Sequence, residues 1–178
     1  MVGVVWAAAL LLAGAGLGKV LNPAPTAAAI EAAEIPGTLW LAGPGFGRLI
    51  GVAEVFVAGL VLGAGGAAPA ALLAVAYLLL TVVARRLLRM APGTHCGCFG
   101  RAADPVSRWH IAVNLACLLI TVAAVALPVP GVPEMIESDG WSPLLILGGA
   151  VLAAWLASVL MTSLPALLTL RAKVATAQ

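Results

Sequence analysis

Charge is what this sequence has least of. Of 178 residues only 9% are Asp, Glu, Lys or Arg, nine basic and seven acidic, while 63% are hydrophobic. Soluble domains average about 25% charged and about 45–50% apolar residues. So few charges cannot cover a soluble fold, which excludes an ordinary soluble enzyme and a disordered chain. A net charge of +2 is no footprint for a polyanion, which excludes a nucleic-acid binder. Cysteine is scarce as well: there are three, and no second pair is present to complete a four-thiolate zinc site. No basic residue precedes the first apolar run. A secretory leader would carry its positive charge there, so the first helix is expected to be retained. Internal repeats are absent too, which argues against a transporter built from inverted halves. What remains is an integral membrane protein with one membrane domain.

The apolar runs give its expected architecture. A helix crosses the hydrocarbon core with about 20 residues at 1.5 Å each. Val2 to Gly18 is uncharged and ends at Lys19, making the first span. Leu49 to Ala84 holds one charge, Glu54. As a single helix it would run roughly 54 Å, so it must be two spans. They break at the Gly- and Pro-rich stretch from Gly63 to Pro69. A fourth span runs from about Trp109 to Leu127, and a fifth from about Leu144 to Leu164 with Pro165 near its end. The expected fold class is therefore all-α: a four-helix transmembrane bundle plus a fifth, C-terminal transmembrane helix. The four-helix domain covers 1–127 and carries a basic loop at 90–108; an acidic loop spans 128–142, and the fifth helix with a short basic tail spans 143–178.

Loop charge sets the expected orientation. With five spans, Lys19, Arg48, Arg85, Arg86, Arg89, Arg101, Arg108, Arg171 and Lys173 all fall on one side of the membrane. That bias predicts an extracytoplasmic N-terminus, with the C-terminus and the basic loop in the cytoplasm of a cell-membrane protein. Residues 27–34 are expected to lie as a short helix along the interface. Trp6, Trp40, Trp109 and Trp141 lie near span ends, as interfacial anchors. Close helix crossings are expected at Gly14/Gly18, Gly47/Gly51 and Gly59/Gly63.

The basic loop holds the most informative residues, His95-Cys96-Gly97-Cys98-Phe99-Gly100. Two cysteines separated by one glycine could close only a small, strained ring. Strained, exposed disulfides are the labile ones. Gly97 permits the backbone angles such a ring demands, and Arg89, Arg101 and His95 favour the reactive thiolate. The chemical reading is a dithiol/disulfide redox pair. Free cysteines ordinarily sit buried as small hydrophobes, which explains a pair in a polar loop poorly. A soft-metal site for Cu(I) or Zn(II) built from His95, Cys96, Cys98 and His110 is the alternative. The protein would then be a non-enzymatic membrane subunit or metal handler.

Two intramembrane features join the candidate set. Glu54 lies inside the second span, where an ionised carboxylate must be paired or face a wet cavity. Lys19 and Arg48 are its expected partners, and a structural ion pair or a proton relay its expected roles. In the fourth span, His110, Asn114, Cys117 and Thr121 are spaced by four, three and four residues and so share one helix face. Asn114 and Thr121 read as interhelical glue, Cys117 as a packing residue, and His110 as a candidate base or ligand.

Three stretches, taken in order, resemble the MauE/DoxX family of redox-associated membrane proteins, and its methylamine-utilisation MauE branch most. They are Leu11 to Pro23 with its terminal Lys19, Gly51 to Gly59 with Glu54, and Cys96-Gly-Cys-Phe-Gly100. The likeness covers about residues 1–127. It implies a four-helix membrane module working with a thioredoxin-like protein or a disulfide-bearing client in thiol–disulfide exchange. In the MauE branch it also implies maturation of the disulfide-rich small subunit of methylamine dehydrogenase, a client that no residue here identifies. Cys96 and Cys98 take the redox role by motif match. A quinone among the helices as electron acceptor is an analogy to other membrane thiol oxidases; no residue demands it. Service to a secreted client would place the cysteines outside the cytoplasm, whereas the charge count places them inside, where thiols are kept reduced. The charge count decides the expectation, which is reduction or reductant transfer and not oxidation of a secreted protein.

Overall fold

A computed structural model of the chain describes residues 1–34, 43–90, 97 and 106–176, with side chains in the last helix described as far as residue 163. The described elements are helical throughout. They are α1 (Val2–Leu21), α2 (Ala24–Ala32), α3 (Pro44–Gly63), α4 (Ala67–Met90), α5 (Arg108–Ala126), α6 (Val132–Asp139) and α7 (Ser142–Thr176). Five of them are long and apolar enough to cross a bilayer: α1, α3, α4, α5 and α7, the last over Ser142–Ser163. Their outward faces carry Leu, Val and Phe side chains such as Phe56, Leu79, Leu119 and Leu145, suited to lipid.

The helices pair off around α1. It packs along α3 on one side and α7 on the other, while α4 packs chiefly on α5. Half of α1's apolar stretch is buried inside the bundle against 17% of α7's, so α1 is the central helix and α7 a peripheral one. The shared core runs through Val5, Leu12, Ala58, Leu73, Tyr77, Cys117 and Ala154.

Glycine decides where α1 and α3 meet, and of the expected pairs Gly47/Gly51 marks the close approaches. A methyl on Gly16 would lie 2.6 Å from the Gly51 carbonyl oxygen, and one on Gly51 would lie 2.6 Å from that of Gly16. Gly47 closes on Pro23, whose carbonyl oxygen a methyl there would approach to 2.9 Å. Gly14, Gly59 and Gly63 face open space, so their four-residue spacing marks no crossing. Small residues permit close packing only where the opposing helix presents a matching gap.

Other departures are local. The helix expected at 27–34 begins earlier, at Ala24. Pro25 opens it, since a first-turn proline gives up an N–H that has no intrahelical partner anyway. Ala29 and Ala33 are buried with Leu87 and Val106, which seats α2 against the ends of α4 and α5. Within the acidic loop at 128–142, residues Val132–Asp139 form α6, with Pro133 and Glu134 in its first turn and Gly140 at its end. Pro165 does not end α7, which continues to Thr176. An internal proline removes one helical bond and kinks as readily as it terminates, and transmembrane helices tolerate it. Trp6 is fully buried, and its indole N–H donates to the Pro130 carbonyl at 3.3 Å, so it is a core residue and not an interfacial anchor. Trp141 is 83% exposed, as an anchor should be, and Trp40 lies outside the described residues.

Candidate functional site

Lys19 and Glu54 meet inside the membrane at the glycine crossing. The Lys19 ammonium lies 2.7 Å from Oε1 and 2.5 Å from Oε2 of Glu54, with the two side chains 3% and 7% exposed. The pair depends on its neighbours three residues away. A methyl on Gly51 would press on Cβ of Lys19 at 3.0 Å, and one on Gly16 on Cβ of Glu54 at 3.0 Å. Bare glycine backbones thus bring the two charged stems alongside each other. Arg48, the other expected partner, is exposed. With both carboxylate oxygens on one ammonium, the pair is a closed contact that fixes the register of α1 on α3. Removing either partner of such a buried pair strands a charge, at about 3–5 kcal/mol.

The polar face of α5 is buried throughout. His110, Asn114, Cys117 and Thr121 are all buried, as their spacing predicts. His110 serves the helix start: its Nδ1 accepts from the Ser107 backbone N–H at 3.3 Å and lies 3.1 Å from the Ser107 hydroxyl, completing a reciprocal capping box. An accepting Nδ1 leaves the proton of a neutral ring on Nε2. Thr121 donates its hydroxyl to the carbonyls of Cys117 and Leu118, at 2.9 and 3.0 Å. The Cys117 thiol sits against the Tyr77 hydroxyl, which itself donates to the Ala8 carbonyl at 2.7 Å. Tyr77 is a bridge between α1, α4 and α5 that helical periodicity does not mark out. It is the single tyrosine of the chain, set in an otherwise apolar span, and that was the available signal. The structure does not join Glu54 to His110: the first is committed to Lys19, the Nδ1 of the second to Ser107.

Of the Cys-Gly-Cys segment, Gly97 is described, while His95, Cys96 and Cys98 lie outside the described residues. Gly97 is buried and has a φ of +63°. A side chain in that left-handed region would be strained, and space forbids one as well. A methyl on Gly97 would lie 2.5 Å from the Pro25 carbonyl oxygen and 2.8 Å from the Thr26 nitrogen. The Gly97 carbonyl accepts the Thr26 hydroxyl at 3.0 Å. The first turn of α2 is therefore a seat for the residue between the two cysteines. Thr26 was missed in the sequence, because nothing local ties a threonine in one loop to a glycine 71 positions later.

Among the described residues no group of three or more His, Cys, Asp and Glu side chains could hold a metal ion. Three members of the alternative metal set lie outside those residues.

Compared with known proteins, the chain matches one family model, described as Methylamine utilisation protein MauE, over residues 1–127. The matched region ends just past α5, leaving α6 and α7 beyond it. No curated protein and no solved structure matches the chain.

Proposed function

The chain belongs to the MauE family of methylamine utilisation proteins, and from that membership we propose that it exchanges thiols and disulfides with a thioredoxin-like partner through Cys96 and Cys98. The observation that carries this reading is the seat of Gly97. Gly97 is buried at positive φ and its carbonyl is bonded to α2, which anchors the middle of the Cys-Gly-Cys segment. Both cysteines are covalent neighbours of Gly97, so their Cα atoms stay about 3.8 Å from its own. Holding Gly97 limits the reach of both thiols and reduces the entropy lost when they join.

The exchange conserves its electrons. One thiolate attacks a sulfur of the partner's disulfide, forming a mixed disulfide and releasing one partner thiolate. The second cysteine then attacks the mixed bond. A Cys96–Cys98 disulfide forms, and the partner leaves as a dithiol carrying two electrons and two protons. Cys98 is assigned the first attack, being the cysteine nearer in sequence to the helix that follows. The lysine and arginine distribution supports a loop facing the cytoplasm of a cell membrane. There the partner's disulfide is reduced and cytosolic thiols restore the pair. Glu54 acts here as a structural group, closed onto Lys19, and His110 orders the helix start behind the loop.

Single-cysteine variants test the exchange. In cells expressing Cys96→Ser, Cys98 should accumulate as a reducible mixed disulfide with a second protein, and the double serine variant should show none. Absence of trapped adduct from both Cys96→Ser and Cys98→Ser sinks the exchange reading. Zinc or copper copurifying with the wild type and lost from both variants would support the metal reading in its place. Labelling by a membrane-impermeant maleimide checks the orientation: the cysteines should react only after lysis.

A further inference from the structure

Asn114 is the one polar side chain of the α5 face whose hydrogen bonding is incomplete. It is 3% exposed, and its amide nitrogen Nδ2 has no hydrogen-bond partner among the described residues. An unmet donor at membrane depth is costly, because lipid supplies no acceptor. The other members of the stripe are all bonded or in contact: His110 with Ser107, Cys117 with Tyr77, Thr121 with two carbonyls. Asn114 instead lines a small cavity.

Four helices make that cavity. Leu12 and Ala15 come from α1, Tyr77 and Leu80 from α4, Asn114 from α5 and Met161 from α7. About 10 Å³ of it is open to the centre of a water molecule, close to the roughly 10–15 Å³ that one water requires. The lining is mostly apolar, and wholly apolar cavities of this kind stay dry. This one is distinguished by an amide donor with no acceptor. Tyr77 lines it too, and its hydroxyl keeps acceptor lone pairs after donating its proton to Ala8.

We propose that this cavity is a water site, holding one water molecule in the bundle core as the acceptor for Asn114 Nδ2. The water takes its hydrogen bond from Asn114 and gives one to the Tyr77 hydroxyl, the minimum of two polar partners that a buried water needs. Asn114 on α5 is thereby tied to Tyr77 on α4, whose hydroxyl also meets the Cys117 thiol. Met161 closes the site from α7, so it needs a helix outside the matched family region. The proposal does not rest on the redox reading.

Hydroxyl-radical footprinting of the whole protein in lipid nanodiscs tests it. X-ray pulses in H2(18)O convert bound water to radicals in place, and mass spectrometry reads the solvent oxygen on neighbouring side chains. Tyr77 and Met161, though buried, should carry the label in the wild type. Asn114→Leu, which removes the donor and keeps the volume, should lower labelling of both severalfold. Ala15→Val, which fills the cavity and spares Asn114, should do the same if the leucine variant fails to fold. Trp6, buried elsewhere, reports folding by keeping its low labelling in each variant. Unlabelled Tyr77 in the wild type, or labelling unchanged by whichever variant folds, overturns the proposal.

Discussion

Gly16 and Gly51 each occupy the space that a methyl group on the other would need, their would-be Cβ atoms both 2.6 Å from the opposing carbonyl oxygen. Helices this close leave no room for two long side chains to splay, so Lys19 and Glu54, three residues further along each helix, run together into one buried pair. The crossing and the ion pair are one feature.

Widening the crossing should loosen both. Gly51→Ala puts a methyl against backbone, which nothing nearby can move aside cheaply. Overpacking of this kind costs typically about 1–3 kcal/mol. Thermal unfolding in detergent should show that loss, and Gly59→Ala, which meets open space, should show little. Equal effects at the two positions would remove the crossing from the account.

Breaking the ion pair should cost more than deleting it. Glu54→Gln leaves the Lys19 ammonium buried without its counter-charge, at about 3–5 kcal/mol. The double variant Lys19→Met, Glu54→Leu removes both charges and should recover most of that stability. Denaturant or thermal curves on the single and double variants separate the cases. If the double variant is stable but thiol exchange is lost, Glu54 has a chemical part beyond fixing register.

His110 can be assayed through its cap. Glutamine reproduces the accepting side chain at the third helical position of a capping box, so His110→Gln should keep stability and thiol exchange. Ser107→Ala should lose about 1 kcal/mol, the usual cost of an N-cap, with exchange intact. Exchange abolished in a folded His110→Gln protein would return the imidazole to the chemistry.

Thr26 and Gly97 should control how available the cysteines are. Thr26→Val removes the 3.0 Å hydrogen bond to the Gly97 carbonyl at nearly constant volume. Gly97→Ala is strained at φ +63° and collides with Pro25. Both should raise the rate at which maleimide labels Cys96 and Cys98; Thr26→Val should lower the unfolding temperature little, Gly97→Ala more because its methyl meets backbone, and Thr26→Ser should behave as wild type. Unaltered labelling in the folded variants would show that the seat does not hold the loop.

Much of this was legible along the chain. The spans, the break between α3 and α4 and the buried face of α5 follow from apolar run length and helical periodicity, properties of neighbouring residues. The charge of Glu54 inside an apolar run announced a partner, and Lys19 was among the two named. The helix in the acidic loop escaped notice because eight residues carry too little periodicity to stand out, though Pro133, Glu134 and Gly140 mark its ends. Trp6 was misplaced because tryptophan near a span end suits both an interface and a core. The hydrogen bond to Pro130, 124 residues away, put it in the core.

The sequence by itself determined that this is a multi-span helical membrane protein with an isolated Cys-Gly-Cys pair, since composition and local spacing set how a chain must sit in a bilayer. Which of twenty glycines makes a crossing, which cation reaches Glu54, and what holds Gly97 were decided only by the tertiary structure. Each depends on the rotation and register of one helix against another. Those are settled by the best joint fit of several faces within one bundle, and no segment carries that information alone.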